Sequence, residues 1–366
     1  MLRRIDFFGI NIGSYSIKIA YVKNVDKNKP YIENITENSL LSNINTLLED
    51  NNNIIELNKI IMSSYKNSKI KNRNCVLSIS EKNVYSRLIT IPYVSNSKEN
   101  NEAIIWSVKS LLPLPIEQLN ISYLEIGEKK INNIVYKDWY VVAANKEYVD
   151  TLHKIFDDID LNLLAIETES ISLSRLINYW KLRSLNYNNN LYNADSLIID
   201  IGFDSSTIII SRNGVPMFSQ SINIGSNSLT KALVRELNID NQQAEIIKQN
   251  INLLDISSVP QEDKPEYKIL KAMEPILDIF ITEISRVLVY HKEKLLGSNV
   301  DFIFLTGGGA LLKGLDVYLN NKLNINNIYT FNLTNIFKIN RNINNSYLQR
   351  INSFSVPIGL CLKGYA

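Results

Sequence analysis

Three glycine turns carry most of the chemistry this chain can offer. The first is Asn11-Ile12-Gly13-Ser14-Tyr15, which returns through Lys18. A tight hairpin after a buried strand leaves backbone N–H groups without ladder partners. Gly13 lets the backbone come close to an anion, and Ser14 adds a hydroxyl donor. Lys18, four residues past Ser14, can set its ammonium on the same anion. The same residues also suit an ordinary β-hairpin. The second turn, Asp200-Ile201-Gly202-Phe203-Asp204-Ser205-Ser206-Thr207, repeats the layout with a carboxylate ending its first strand. A carboxylate there can hold Mg2+ through the ion's waters, because that hard cation keeps part of its hydration shell. The third turn has Gly307-Gly308-Gly309 between Phe304 and Gly314; it reads as strand, turn, helix and can admit a planar base against bare backbone. It fits neither common nucleotide fingerprint: the dinucleotide pattern needs Gly where Leu312 stands, and the P-loop needs Lys where Leu315 stands.

Those turns need strands to carry them. Apolar runs predict strands at Phe7–Ile12, Ile17–Val22, Val76–Ile79 and Tyr85–Ile91, near Ile121–Ile126 and Trp139–Ala144, then at Leu197–Ile201, Thr207–Ser211 and Asp301–Thr306. Helical spacing predicts helices over Lys98–Leu112, closed by Pro113 and Pro115, near Tyr148–Asp158, through Ser170–Trp180, around Ser228–Leu237 and near Gln242–Gln249. A long stripe from Ile269 to Leu288, through Met273, Leu277, Phe280 and Ile284, reads as core rather than as a cofactor box. Asn186–Asn190 is the linker, and after it the strand, glycine turn, strand scheme begins again. Asn11 aligns with Asp200, 189 residues on and about half the chain, which is a duplication signal. Two related α/β domains around a cleft follow from it.

Composition removes several classes of function. The 366 residues suit two or three domains at about 100–200 residues each. With 39 Lys and Arg against 37 Asp and Glu, the net charge of +2 is too small for a nucleic-acid or membrane-surface coat. Cys75 and Cys361 make neither a disulfide framework nor a zinc site, and a reducing cytoplasm is their natural home. His153 and His291 leave little for histidine chemistry, so any catalysis rests on carboxylates, hydroxyls and backbone amides. The basic start Met1–Arg4 is followed by Asp6 and Asn11 rather than by an apolar run with a cleavage site. No stretch approaches the roughly 20 apolar residues of a membrane helix, and the chain reads as soluble. Clusters such as Asn51–Asn53 and Asn188–Asn190 read as surface loops.

Two glycine hairpins and a third glycine turn in this order resemble the actin-like ATPase superfamily, whose hairpins clasp phosphates while the third turn borders the adenosine. The resemblance implies an α/β, actin-like fold: two duplicated RNase H-like domains around a nucleotide cleft, with a small α/β subdomain inserted in the first half. It implies ATP or ADP with Mg2+ as cofactor. Asn11, Gly13, Ser14, Tyr15 and Lys18 match the first phosphate motif, and Asp200, Gly202, Ser205, Ser206 and Thr207 the second, Asp200 holding Mg2+ through water. Gly307, Gly308, Gly309 and Leu312 match the adenosine motif. Gln243-Ala244-Glu245-Ile246-Ile247-Lys248 resembles the nucleoside-contacting segment. Glu245 and Lys248 stand at i, i+3 on one helix face and suit a surface ion pair equally well. Glu169 stands where relatives keep a polar residue near the attacking water, the implied catalytic position; it also suits the positive end of a helix.

Further segments resemble one branch, the PilM family of type IV pilus assembly proteins. They are Arg87–Pro92 with the Ile104-Ile105-Trp106 helix, Leu112–Ile116, Val141–Lys146, Ile166–Glu169, Ile222–Thr230 and Val356–Gly364, in order along nearly the whole chain. This resemblance implies a cytoplasmic ATP-binding scaffold, peripheral to the inner membrane through a partner. That partner is the N-terminal cytoplasmic tail of a PilN-like protein, lying extended in a groove between the inserted subdomain and its parent. Other pilus platform or motor proteins and further copies of the chain are possible partners; nucleic acid and direct membrane insertion are not implied. The first domain spans 1–185 with the insert at about 92–160, and the second spans 191–366, its end from about 351 returning toward the cleft.

One position departs from the family pattern. The first phosphate motif usually begins with Asp, and here it is Asn11. An Asn orients a water but adds no charge, and one unit-charge attraction at 4 Å is about 4 kcal/mol at an effective dielectric of 20. Nucleotide binding with weak or absent hydrolysis is therefore expected. A sugar or acetate kinase shares the fold but needs an acidic base in a second-substrate pocket, for which no residues stand out. An FtsA-like division protein ends in an amphipathic membrane helix, and the seven residues after Gly359 are too few for one. A type II secretion or competence scaffold of the same architecture is the nearest alternative.

Overall fold

The structure is a computed structural model and describes residues 6–25, 30–40, 44–48, 50–184, 194–254, 265–295, 300, 302–325 and 327–364. Met1–Arg4 and the Asn186–Asn190 linker lie outside them. The strands are β1 (Phe8–Ile12), β2 (Ser16–Lys23), β3 (Tyr31–Ser39), β4 (Asn74–Ile79), β5 (Val84–Pro92), β6 (Leu119–Ile131), β7 (Ile134–Asn145), β8 (Asn162–Thr168), β9 (Ser196–Ile201), β10 (Ser206–Arg212), β11 (Val215–Ile222), β12 (Phe302–Thr306), β13 (Ile328–Thr330) and β14 (Lys338–Ile339). They form three sheets, in the orders β14-β3-β2-β1-β4-β8, β11-β10-β9-β12-β13 and β5-β7-β6.

Without β14, the first two sheets have one plan: an antiparallel meander of three strands, then two parallel strands. The match extends to register. Asn11 pairs with Lys18 across β1 and β2, as Asp200 pairs with Thr207 across β9 and β10. On their other sides Asn11 stands beside Ser78 and Asp200 beside Thr306. β1 and β9 are covered on both faces, which is why they read as near-continuous apolar runs. Helix Asn51–Ser68, hidden in sequence by its Asn-rich opening, starts on the Asp50 side chain, which accepts the Asn52 N–H. It ends on Lys69 in the left-handed region, φ 57°.

Strand pairing and core packing set the limits of the third sheet and the course of the chain end. β5 pairs with β7 along its whole length, from Val84 opposite Ala144 to Pro92 opposite Tyr136, so the third sheet begins at Val84. Helix Lys146–Asp158 gives Leu152, Ile155 and Phe156 to the core of the first sheet. The third sheet and the helix packed on it thus lie within 84–145. The end of the chain also crosses over. β14 pairs with β3, and helix Ser355–Cys361 lies on β1. Gly9 makes that contact possible, since a Cβ there would stand 2.1 Å from the Pro357 carbonyl oxygen. One core joins the two sheets, running from Ala20 and Val22 through Leu176, Ile198 and Phe304 to Phe354 and Ile358.

Asp195, at the entry to β9, ties the second sheet to the long helix Pro265–Lys294. Its buried carboxylate accepts both arms of Arg212 at 2.7 Å, and His291 Nε2 lies 2.6 Å away. Burial pushes this carboxyl up, but the hydrogen bonds from Arg212 and His291 outweigh it and hold the group at about 2. A folded value below the ordinary carboxylate range gives stability that is present above pH about 4 and lost as pH falls toward 2. Asp195→Ala strands two donors and should cost about 3–5 kcal/mol, read as a lower urea midpoint. Its stability should also fall less steeply than the wild type's between pH about 4 and 2.

Candidate functional site

A cleft between the first two sheets is lined by Asn11, Gly13, Ser14, Tyr15, Lys18, Glu169, Asp200, Gly202, Ser205, Thr207, Gly307 and Gly308. Each glycine hairpin is closed by one bond, Gly13 N–H to Ser16 O at 3.0 Å and Gly202 N–H to Ser205 O at 2.9 Å. The next two N–H groups of each turn, on Ser14 and Tyr15 and on Phe203 and Asp204, enter no hydrogen bond among the described residues. Unpaired amides of this kind form a concavity suited to an anion. The turn tips meet through the Tyr15 and Phe203 rings, whose centroids are 4.6 Å apart, so an aromatic pair spans the cleft beside those amides. Lys18 adds its charge from β2, where Glu37 lies 3.6 Å away and Arg350 pairs with the same carboxylate at 2.7 Å.

Two carboxyls at the cleft floor are tuned by burial. Desolvation pushes Asp200 up to about 6, against the pull of the Lys18 ammonium. Desolvation, then the charges of Asp200 and Glu81, push Glu169 up to about 8, while Asn11 and the Glu81 backbone work the other way. The Asn11 amide donates to Glu169 Oε1 at 3.1 Å and to Ser78 Oγ at 2.8 Å. Burial and its carboxylate neighbours thus favour the protonated form of Glu169 more than they would for an exposed carboxyl. No group of three or more His, Cys, Asp or Glu stands together as metal ligands among the described residues. A divalent ion beside Asp200 would therefore draw most of its ligands from water and from bound phosphate, which is how Mg2+ is usually held.

The third turn reaches the cleft through Gly307 and Gly308 only. Gly307 has φ 84°, and a Cβ on it would stand 2.3 Å from Asp200 Oδ1 and 2.5 Å from the Ile201 carbonyl oxygen. A Cβ on Gly308 would meet nothing within 4 Å. Gly307→Ala should lower the melting temperature and displace Asp200, weakening any ligand that depends on it at least tenfold. Gly308→Ala should leave the melting temperature unchanged and act on ligand binding alone.

Other residues of the three motifs are turned elsewhere. Gly309 packs on Ile201, and Leu312 is buried in the core of the second sheet. Ser206 donates its hydroxyl to Ile224 O at 2.6 Å. Lys248 Nζ lies 2.7 Å from Glu245 Oε2, 2.8 Å from Thr230 Oγ1 and 3.2 Å from Ser226 O. Thr230 also donates to Glu245 at 2.9 Å. The pair therefore braces helix Asn241–Asn250 on helix Ser226–Leu237 and does not line the cleft.

The family model described as type IV pilus assembly protein PilM matches residues 9–365. The chain belongs to the PilM family. Similar solved structures include a PilM-PilN type IV pilus biogenesis complex, 20% identical over 99% of both chains with a TM-score of 0.77. The ethanolamine utilization protein EutJ from Carboxydothermus hydrogenoformans is 12% identical over 99% of this chain and 91% of its own, TM-score 0.52. MreB5 of Spiroplasma citri bound to AMPPNP is 14% identical over 96% and 94%, TM-score 0.50. The fold is actin-like, as the duplicated sheets require.

In this PilM-family chain the cleft also includes Ser80, Lys82 and Asn83, which no sequence motif marked, and Asn352, Ser353, Ser355 and Val356 of the terminal segment. The first group directly follows β4, at the carboxyl end of a parallel strand, where ligands of α/β folds gather. That position was the available signal. The second group is brought in by helix Ser355–Cys361, and Thr306 Oγ1 holds it from the other sheet, 3.1 Å from Asn352 O and 2.6 Å from Ser355 Oγ.

Proposed function

We propose that this PilM-family protein is an ATP-binding scaffold of the type IV pilus inner-membrane assembly platform. It is cytoplasmic and holds the N-terminal tail of a PilN-like membrane protein. The observation that carries the nucleotide reading is the meeting of two hairpins with unpaired amides, Lys18 and Asp200 in one cleft. The amides of Ser14, Tyr15, Phe203 and Asp204 and the Lys18 ammonium bind and orient phosphate oxygens. Ionised Asp200 holds the waters of Mg2+, an ion that supplies charge neutralisation to the polyphosphate when bound. Gly307 and Gly308 give the nucleoside a bare backbone edge. Asn11 brings no charge to the floor of the cleft, so hydrolysis is weak or absent.

The partner reading is supported by the family, by the solved PilM-PilN complex and by the surface beside the inserted unit. Two adjoining cavities run between the insert and helix Lys146–Asp158, lined at one end by Leu48, Tyr85, Leu114 and Tyr148 and at the other by Gln118, Lys146, Asp150 and Lys154. Apolar pockets with a polar end suit an extended peptide. No helix among the described residues is long and apolar enough to cross a membrane. The test is titration with a synthetic peptide of the cytoplasmic N-terminus of the same organism's PilN-like protein. Saturable binding that Leu114→Asp weakens at least tenfold is the expected result. Absence of binding to the folded wild type would defeat the scaffold reading.

A further inference from the structure

We infer that Arg350, a residue outside the cleft, sets the charge that Lys18 presents to a bound polyphosphate, an inference that rests on the nucleotide reading above. It makes Arg350 a positioning residue, which acts by neutralising a carboxylate behind Lys18. That carboxylate is Glu37 on β3, directly across from Lys18 on β2. Lys18 lines the cleft, whereas Glu37 and Arg350 do not.

The side chain of Glu37 is only 8% exposed, and a negative charge so placed needs partners. Ser16 Oγ donates to its Oε1 at 2.6 Å. Lys18 Nζ stands 3.6 Å from the same oxygen, too far for a hydrogen bond, so the ammonium keeps its protons for the cleft. Arg350 Nη1 stands 2.7 Å from Oε2 and is the close cation. Tyr347 holds Arg350 in place. The guanidinium lies over the Tyr347 ring, 5.4 Å from its centroid, and that ring packs edge-on against buried Phe354 at 5.7 Å. The Tyr347 hydroxyl donates in turn to Glu37 O at 3.4 Å.

Charge decides what the arrangement does. Lys18 and Glu37 alone sum to zero, and a phosphate facing them would meet a dipole rather than a cation. Arg350 brings the three to +1. The charged side chains of the cleft lining are Lys18 and Lys82 against Glu169 and Asp200, so an unmatched Glu37 behind Lys18 would tip the site against an anion. With Glu37 matched by Arg350, Lys18 can turn to phosphate without stranding a buried carboxylate.

Calorimetry on the full chain, with Mg-ADP as the probe, tests this. Arg350→Ala should weaken binding about tenfold, and Arg350→Lys, which keeps the charge, should stay within about threefold of the wild type. Glu37→Gln leaves an acceptor for Ser16 Oγ and removes the charge that Arg350 offsets. Added to Arg350→Ala, it should restore the affinity to within about threefold of the wild type. A merely structural role for Arg350 predicts the opposite, since the second substitution would deepen the loss. Thermal melts check that each variant is folded. If Arg350→Ala does not fold alone, the double variant and Glu37→Gln decide, and Glu37→Gln alone should bind at least as tightly as the wild type. Wild-type affinity in folded Arg350→Ala, weaker binding in folded Glu37→Gln, or a double variant no better than Arg350→Ala would overturn the inference and leave the nucleotide reading standing. If the folded wild type does not bind Mg-ADP, that reading fails and the inference falls with it.

Discussion

Asp200→Ala should lower the affinity for Mg-ATP about 100-fold while leaving Mg-free ATP bound as tightly as in the wild type, or more tightly. A unit charge at 4 Å contributes about 4 kcal/mol at an effective dielectric of 20. The ion's double charge and the greater distance through a water shell act in opposite directions, which leaves about 3 kcal/mol, or roughly 100-fold. Mg-free nucleotide has no such attraction to lose, and removal of a carboxylate relieves its repulsion from phosphate. Acidity gives an independent signature. Burial raises the Asp200 carboxyl to about 6 in the ligand-free cleft, so the ion must drive off a proton at lower pH. Wild-type affinity for Mg-ATP should therefore climb between pH 5 and 7 and the variant's should not. The sign for folding is the reverse. A carboxyl whose value is raised on folding binds more protons in the native state, so ligand-free stability falls as pH rises from about 4 through 6. Asp200→Ala should remove that part of the slope, seen in thermal melts across the same range.

Asn11→Asp should tighten Mg2+-dependent nucleotide binding at least tenfold and raise the steady-state ATPase rate above the wild type's. The wild-type amide donates to Glu169 and Ser78, so the residue now acts as a neutral donor at the cleft floor. An aspartate there places a second charge near Asp200, and even part of the 4 kcal/mol scale above exceeds the 1.4 kcal/mol of a tenfold change. The cost falls on the ligand-free protein. Two carboxyl groups about 3 Å apart cannot both ionise without a cation, so the Glu169 proton would be held more tightly still. Ligand-free Asn11→Asp should therefore melt lower than the wild type at pH 8, and Mg-nucleotide should restore more of its stability than it adds to the wild type. A variant whose Mg2+ dependence matched the wild type's would show that position 11 does not set the charge of the site.

Much of this site was legible because backbone geometry leaves a mark in sequence. Gly307 must be glycine on two counts, a left-handed φ and an approach to Asp200 that no Cβ survives, and Gly13 and Gly202 close twin hairpins on strands buried on both faces. The repeat of 189 residues was legible for the same reason, and it persists in the pairing of Asn11 with Lys18 and of Asp200 with Thr207. Features fixed by distant packing were not. β3 carries Glu33, Asn34, Glu37 and Asn38 along an Asn-rich stretch and lacks the apolar run of its neighbours. Ser80, Lys82 and Asn83 reach the cleft just past the end of β4 with no glycine motif to mark them. For Glu245 and Lys248 the i, i+3 spacing correctly implies an ion pair. Only the structure places Thr230 between them and turns the pair onto a neighbouring helix.

A cleft built from these turns should take a nucleotide. Calorimetric titration of Mg-ATP into the purified, ligand-free chain is the direct measurement. It should give one saturable site per chain, weakened when Mg2+ is chelated and at least tenfold weaker in Gly307→Ala. A folded wild-type protein that shows no saturable binding, or binding that Gly307→Ala leaves untouched, would contradict that reading.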